Sequence, residues 1–214
     1  MCGLFFALGR SKHHLNMKRL LVLLLVFGLS HAAIGQDKGA IGFKGGINIS
    51  NTNNTESGKA DAKLGFHAGL LAHFHITPAF SLQPEVVFSR QGATQSNVDV
   101  HLDYINIPVL LQYNFNNGFR LQTGPQVGFL TNVESKVDGV TTDAVVRNNF
   151  KSTDFSWSLG GGYLTESGLG IDIRHNLGLS KINDVSDRIG KTTNRVWQIG
   201  LFYLIDNDHK RRSR

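Results

Sequence analysis

Eight stretches of this chain alternate apolar and polar residues with a period of two, and that pattern leaves little room for any architecture but an extended sheet. In residues 169–180 the odd positions are Leu169, Ile171, Ile173, His175, Leu177 and Leu179, while the even ones are Gly, Asp, Arg, Asn, Gly and Ser. Successive side chains of a strand point to opposite faces, so such a stretch has one apolar and one polar face. The same alternation runs through 40–49, 64–76, 80–90, 104–115, 119–130, 155–163 and 195–205. These segments predict eight strands, longer than the usual five or six residues of soluble sheets and long enough for a tilted strand to cross a bilayer.

The connections between them alternate too. Thr77-Pro78-Ala79, Asn116-Asn117-Gly118 and Glu166-Ser167-Gly168 carry tight-turn chemistry. Between them lie stretches expected to be long polar loops: about 50–62, 91–103, 131–154 and 181–194. Short turns at one end and long loops at the other is the arrangement of an outer-membrane barrel. Pro84, Pro108 and Pro125 fall inside expected strands, where proline removes a ladder donor; at Pro108 and Pro125 a bulge is expected.

Alternation alone does not say which face meets lipid. A soluble barrel turns its apolar face inward around a ligand; a membrane barrel turns it outward and keeps a polar lumen. Aromatics favour the second. Phe74, Phe80, Tyr113, Phe115, Phe119, Tyr163 and Tyr203 fall near the turns, and Phe66, Phe88, Phe129, Phe155 and Trp197 near the loops, as two interfacial girdles would. The polar faces hold many glycines and a sparse set of charges of both signs: Lys44, Glu85, Arg120, Asp172 and Arg174. In a lumen these five would pair as a structural polar cluster, and eight strands leave an interior just wide enough for side chains.

Composition narrows the partners. Of 22 basic residues, four lie in 1–35 with no acid, and four more in 206–214 beside Asp206 and Asp208; what remains in 36–205 balances at 14 of each sign. The body is therefore neutral, and nucleic acid is not expected as a partner. Met17-Lys18-Arg19, the apolar run Leu20–Leu29 and the small-residue zone ending Ala33-Ile34-Gly35 read as a cleavable signal peptide, with the cut between Gly35 and Gln36. The apolar run is too short to span a bilayer as a helix. With the leader removed no cysteine remains, because the only one is Cys2. The expected organisation is an N-terminal extension and signal peptide at 1–35, a barrel at 36–205 and a basic tail at 206–214.

Several motifs then resemble a known family. Tyr104-Ile-Asn-Ile-Pro-Val-Leu-Leu111 followed by Tyr113, Gly124-Pro-Gln-Val-Gly128, Ser158-Leu-Gly-Gly-Gly162-Tyr163, Gly168-Leu-Gly-Ile-Asp-Ile-Arg174 and Asn176-Leu-Gly-Leu179 are similar to the PorT-type outer-membrane β-barrel proteins of Bacteroidetes. The resemblance spans about 40–205 and implies fold and compartment; the family name also implies a link to type IX secretion. Gln198, Gly200, Tyr203 and Ile205 resemble an outer-membrane assembly signal, although Asp206–Arg214 follows it.

Chemistry-bearing sets are sparse. His67, His73 and His75 share a polar face, but without Cys or a visible carboxylate partner they read as lumen filling rather than a metal site. Ser156, Ser158 and His175 form no nucleophile elbow. Gly160-Gly161-Gly162 lacks the context of a phosphate loop. No catalytic, cofactor or metal residues are assigned. The expectation is a non-enzymatic, eight-stranded antiparallel up-and-down transmembrane β-barrel of the Gram-negative outer membrane, with a structural or surface-interaction role. Its expected partners are the lipid bilayer, the outer-membrane assembly machinery and other envelope proteins. Two other readings stand beside it: an accessory component of a secretion machine, and a soluble periplasmic ligand-binding barrel.

Overall fold

The alternating segments pair each with its sequence neighbour, and the sheet they make closes on itself. In this computed structural model the described residues are 39–54, 58–59, 61–95, 98–137, 140–141, 150–182 and 192–205. The chain divides into two units, 1–37 and 38–214. The expected leader with its Gly35/Gln36 cleavage point, and the tail 206–214, lie outside the described residues.

The strands are β1 (Gly39–Asn54), β2 (Gly58–Lys59), β3 (Asp61–His75), β4 (Phe80–Gln95), β5 (Val98–Asn114), β6 (Phe119–Val137), β7 (Val140–Thr141), β8 (Thr153–Leu164), β9 (Leu169–Gly178) and β10 (Thr192–Ile205). The long ones run β1-β3-β4-β5-β6-β8-β9-β10, antiparallel throughout, and β10 pairs back onto β1 from Ile41↔Ile205 to Asn54↔Thr192. The two-residue strands β2 and β7 only extend the edges of β1 and β6. The result is a closed eight-stranded antiparallel barrel, as the alternation predicts.

Two of the turns share one design. Gly118 N–H donates to the Phe115 carbonyl (3.2 Å) and Phe115 N–H to the Phe119 carbonyl (2.8 Å); Gly168 and Thr165 repeat this with Thr165 and Leu169 (3.1 and 2.8 Å). Gly118 and Gly168 have φ of 88° and 86°, a conformation that only glycine adopts without strain.

Closure requires tilt. Partner by partner, the pairing runs from Asn114 through Arg120, Gly162, Asp172, Gly200, Gly46, His67 and Ser89 and re-enters β5 at Tyr104, not at Asn114. That stagger is what a barrel of tilted strands must show. It brings side chains far apart in sequence to one height.

The strands outrun the alternation at the loop side. β4 and β5 continue to Gln95 and Val98, so most of 91–103, expected as loop, is a hairpin. β6 runs on to Val137. The cause is a change of phase: above Tyr104 the apolar residues fall on even positions, and Leu102 and Tyr104 pack inward with Leu130 and Ile182, Val100, Val133 and Phe150 against them. The prolines also depart from expectation. No bulge occurs at Pro108 or Pro125: pairing is interrupted between Pro108↔Gln126 and Leu111↔Thr123 but resumes in register. Each proline deletes a donor, and the flanking ladder holds the alignment. The register shifts instead at Ala62/His67 and Asp103/Tyr104.

Ile41, Leu64 and Leu70 on the apolar face are 65, 71 and 69% exposed, while Glu85, Asp172 and Arg174 on the other are 2, 5 and 1% exposed. The apolar side points out and the polar side points in, the inverse of a soluble barrel. Aromatic pairs line the turn side of the outer face: Phe80–Tyr113, Tyr113–Phe115 and Phe119–Tyr163 have ring centroids 4.9–5.2 Å apart. Phe66–Phe88 and the stacked pair His175–Trp197 lie on the loop side.

Candidate functional site

Four of the five charged residues singled out above meet in the barrel interior, from three strands. Lys44 comes from β1, Glu85 from β4, and Asp172 and Arg174 from β9, two residues apart and so on one face. Arg174 grips Glu85 with two parallel hydrogen bonds, Nη1 to Oε2 at 3.0 Å and Nη2 to Oε1 at 2.9 Å, the geometry that suits a planar guanidinium. The same Nη2 reaches Asp172 Oδ2 at 3.2 Å, and Lys44 Nζ reaches Asp172 Oδ2 at 2.8 Å and Glu85 Oε2 at 3.5 Å. Gln83 donates to Glu85 Oε1 at 2.8 Å. Two carboxylates and two cations therefore balance one another in charge away from water, a condition for buried charge to be tolerated.

Arg120, the fifth, stands apart. It is buried yet has no carboxylate within ion-pair distance among the described residues. Its guanidinium lies 4.2 Å over the Phe202 ring. Nη1 donates to Gln112 Oε1 at 3.3 Å and Gln83 Oε1 at 3.5 Å. Gly170 makes this possible, since a Cβ there would overlap the Phe202 ring.

Above the ion cluster, neutral side chains bridge from strand to strand. Ser158 donates to Asn176 at 2.7 Å, Asn176 to Gln198 at 3.0 Å, and Gln198 to Asn48 Oδ1 at 3.0 Å. His67 Nδ1 donates to the same Asn48 oxygen at 2.9 Å. His73 lies against Gln83, 3.4 Å from its oxygen, and its ring meets His75 edge-on at 4.7 Å. Among the described residues, no group of three or more His, Cys, Asp or Glu is placed to hold a metal. Ser156 and Ser158 face inward and His175 faces outward against Trp197, so the sheet separates them.

Two features were not read from the sequence. The interior is apolar at both ends: Leu71, Phe202 and Leu204 cluster at the turn side, and Leu102, Tyr104, Leu130 and Ile182 at the loop side. A signal for the first exists, because Leu201–Ile205 is apolar at every position and so breaks the alternation. The other is a charged extension beyond the loop-side aromatics. There Arg90 holds Asp103 through Nε–Oδ1 at 2.7 Å and Nη2–Oδ2 at 2.8 Å. Lys63 meets Asp99 at 3.0 Å, and Thr94 donates to Asp99 at 2.6 Å.

Comparison with known proteins agrees with this geometry. The structure resembles Neisserial surface protein A, with a TM-score of 0.55 and 14% identity over 76% of this chain and 96% of that one. It also resembles Ail, the attachment invasion locus protein of Yersinia pestis, with a TM-score of 0.50 and 16% identity over 78% and 99%. At such identities the likeness is one of fold. No curated protein is similar enough in sequence to match the chain. The family model described as "Outer membrane protein beta-barrel domain" matches residues 35–184. With an outward apolar band, an inward polar face and a closed eight-stranded sheet already established, that match is decisive: the chain belongs to the outer-membrane β-barrel domain family and resides in the outer membrane.

Proposed function

We propose that this barrel is a non-enzymatic envelope protein whose polar interior acts as a structural plug and whose loop-side extension is its interaction surface. The observation that carries the reading is the interlocked set Lys44, Glu85, Asp172 and Arg174, which spends its charges on one another across the lumen. Groups so engaged favour rigidity over turnover or conduction. The long-loop end, with its charged hairpin, then faces outward from the cell, and loops displayed on a rigid scaffold are where interaction residues concentrate. Residues 1–35 serve as the export leader, cut between Gly35 and Gln36, and 206–214 are a basic C-terminal tail.

A PorT-type role in protein secretion is the second reading. It rests on the motifs of 104–113, 124–128, 158–163 and 168–179. Co-purification of other envelope proteins in mild detergent tests it.

The main test is deletion followed by complementation with two chains. One is complete; the other replaces Gln91–Leu102 by a two-residue turn. Both should change gel mobility on heating, as closed barrels do. If only the complete chain restores the envelope phenotype, the extension carries the function. If both restore it, the barrel itself is the working part and the extension reading fails. A lipid-modifying activity that disappears in Glu85→Gln would overturn the non-enzymatic reading.

A further inference from the structure

The interior holds one cation more than its central cluster can neutralise. Lys44 and Arg174 are matched by Glu85 and Asp172, and Arg120 is left over. Among the described residues the other buried acids lie elsewhere: Asp103 is held by Arg90, and Asp154 accepts from Ser180 Oγ at the loop end. Asp154 pairs in register with Gly128, eight residues along β6 from Arg120, or about 26 Å at the rise of a strand. An arginine stays protonated in any such setting. An uncompensated charge away from water is costly.

The hydrogen bonds point the same way. Arg120 Nε and Nη2, Gln122 Nε2 and Arg174 Nε are buried donors with no protein acceptor among the described residues. Arg120 and Gln122 are two apart on the inward face of β6. Across β8 they pair in register with Gly162 and Gly160, which pair in turn with Asp172 and Arg174. Arg120, Gln122 and Arg174 are 3, 3 and 1% exposed, so bulk water does not serve them. Gln112 ties the group together, accepting from Arg120 and donating to Gln122 Oε1 at 3.1 Å. One positive charge and four unspent donors on one side of the lumen, beside two glycines, describe a receptor for a small negative ion.

We infer that Arg120, with Gln122 and Arg174, forms a lumenal binding site for a small monovalent inorganic anion of the halide class. Phe202 forms its floor under the guanidinium, and the anion completes the charge balance of the barrel interior. This inference goes beyond the plug reading and does not depend on what the loops bind. Asp172 Oδ1 is the competitor. It too is buried without a donor, and a turn of the Arg120 guanidinium onto it would occupy the free donors internally, although the interior would keep its one excess positive charge.

The test uses the complete barrel refolded in detergent. Its heat-unfolding midpoint is read on gels at constant ionic strength, with chloride or bromide replacing gluconate. The expected result is a midpoint that rises with halide and saturates, and a response that disappears in Arg120→Gln. Should Arg120→Gln fail to fold, Gln122→Leu keeps the charge and removes one donor. It should shift the half-saturating halide concentration upward several-fold. Crystals grown in bromide should show anomalous density within hydrogen-bond distance of Arg120 Nη2. A wild-type midpoint indifferent to halide overturns the site, as does an Arg120 found on Asp172 Oδ1 with no bromide beside it.

Discussion

Glu85 is the residue on which the interior turns. It accepts hydrogen bonds from Arg174 and Gln83 and pairs with Lys44 at 3.5 Å, with no solvent contact to replace any of them. Removing one partner of a buried pair leaves the other charge stranded, at about 3–5 kcal/mol. Glu85→Ala and Arg174→Ala should each cost about that much, read from urea unfolding of the barrel in vesicles. The double variant should cost clearly less than the two together, because its second change removes the charge that the first exposed. Additive losses would mean that the pair is not the unit. That these residues are charged and lie on the polar faces of their strands was legible in the period of two. That Lys44, Glu85 and Arg174 meet was not, since their strands are distant in sequence and only the stagger of the closed sheet brings them level. The isolation of Arg120 was equally hidden: it follows from Phe202 lying in the lumen, and that follows from the missing Cβ at Gly170.

Among the elements, β4, β5 and β6 change solvent along their length. Below Tyr104 the outward positions of β5 are Ile105, Ile107, Val109 and Leu111; above it Val100 and Leu102 turn inward instead. Lipid outside favours apolar residues outward, and water outside reverses the preference, so the switch of phase marks the membrane boundary. The sequence contained this signal, but a search for one continuous phase reads the second half of the pattern as loop. Proline misled in a similar way. Pro108 and Pro125 promise bulges, yet a missing donor interrupts only the rungs beside it when neighbouring rungs stay paired. In the extension, Arg90 and then Asn132 hydrogen-bond the Asp103 carboxylate and hold its pKa below the usual carboxylate value. A carboxyl depressed on folding stabilises fully above its unfolded pKa, about 3.9, and loses that contribution as pH falls through the depressed folded value. Hydrogen exchange at Leu102 should therefore be protected evenly down to about pH 5 and weaken below about pH 4. Asp103→Asn should remove that step, at a cost of about 1 kcal/mol or less for a pair whose arginine is partly exposed. A step unchanged in the variant would assign it to another acid.

For the molecule as a whole, the alternation specified a sheet with two unlike faces but not which of them points out. The length of the strands, the two aromatic girdles and the glycines crowded on the polar face pointed to lipid outside, and the exposure of the apolar face agrees. An apolar face turned to lipid should respond to charge as no water-facing surface does. Leu201 is 58% exposed, between Trp197 and Tyr203 on the outer face of β10. Those two aromatics are six residues apart, about 20 Å along a strand, which places Leu201 well inside an apolar band about 25 Å tall. On a water-facing surface, Leu201→Arg would change stability by about 0.5 kcal/mol or less. In a bilayer the same change should cost about 2–4 kcal/mol, falling toward zero when arginine is placed nearer the interface. Val140, 67% exposed on β7 above the barrel, is the control: Val140→Arg should be nearly neutral. Refolding into vesicles over a urea series reads both substitutions. Equal, small effects at the two positions would reverse the inside–outside assignment and return the apolar face to water.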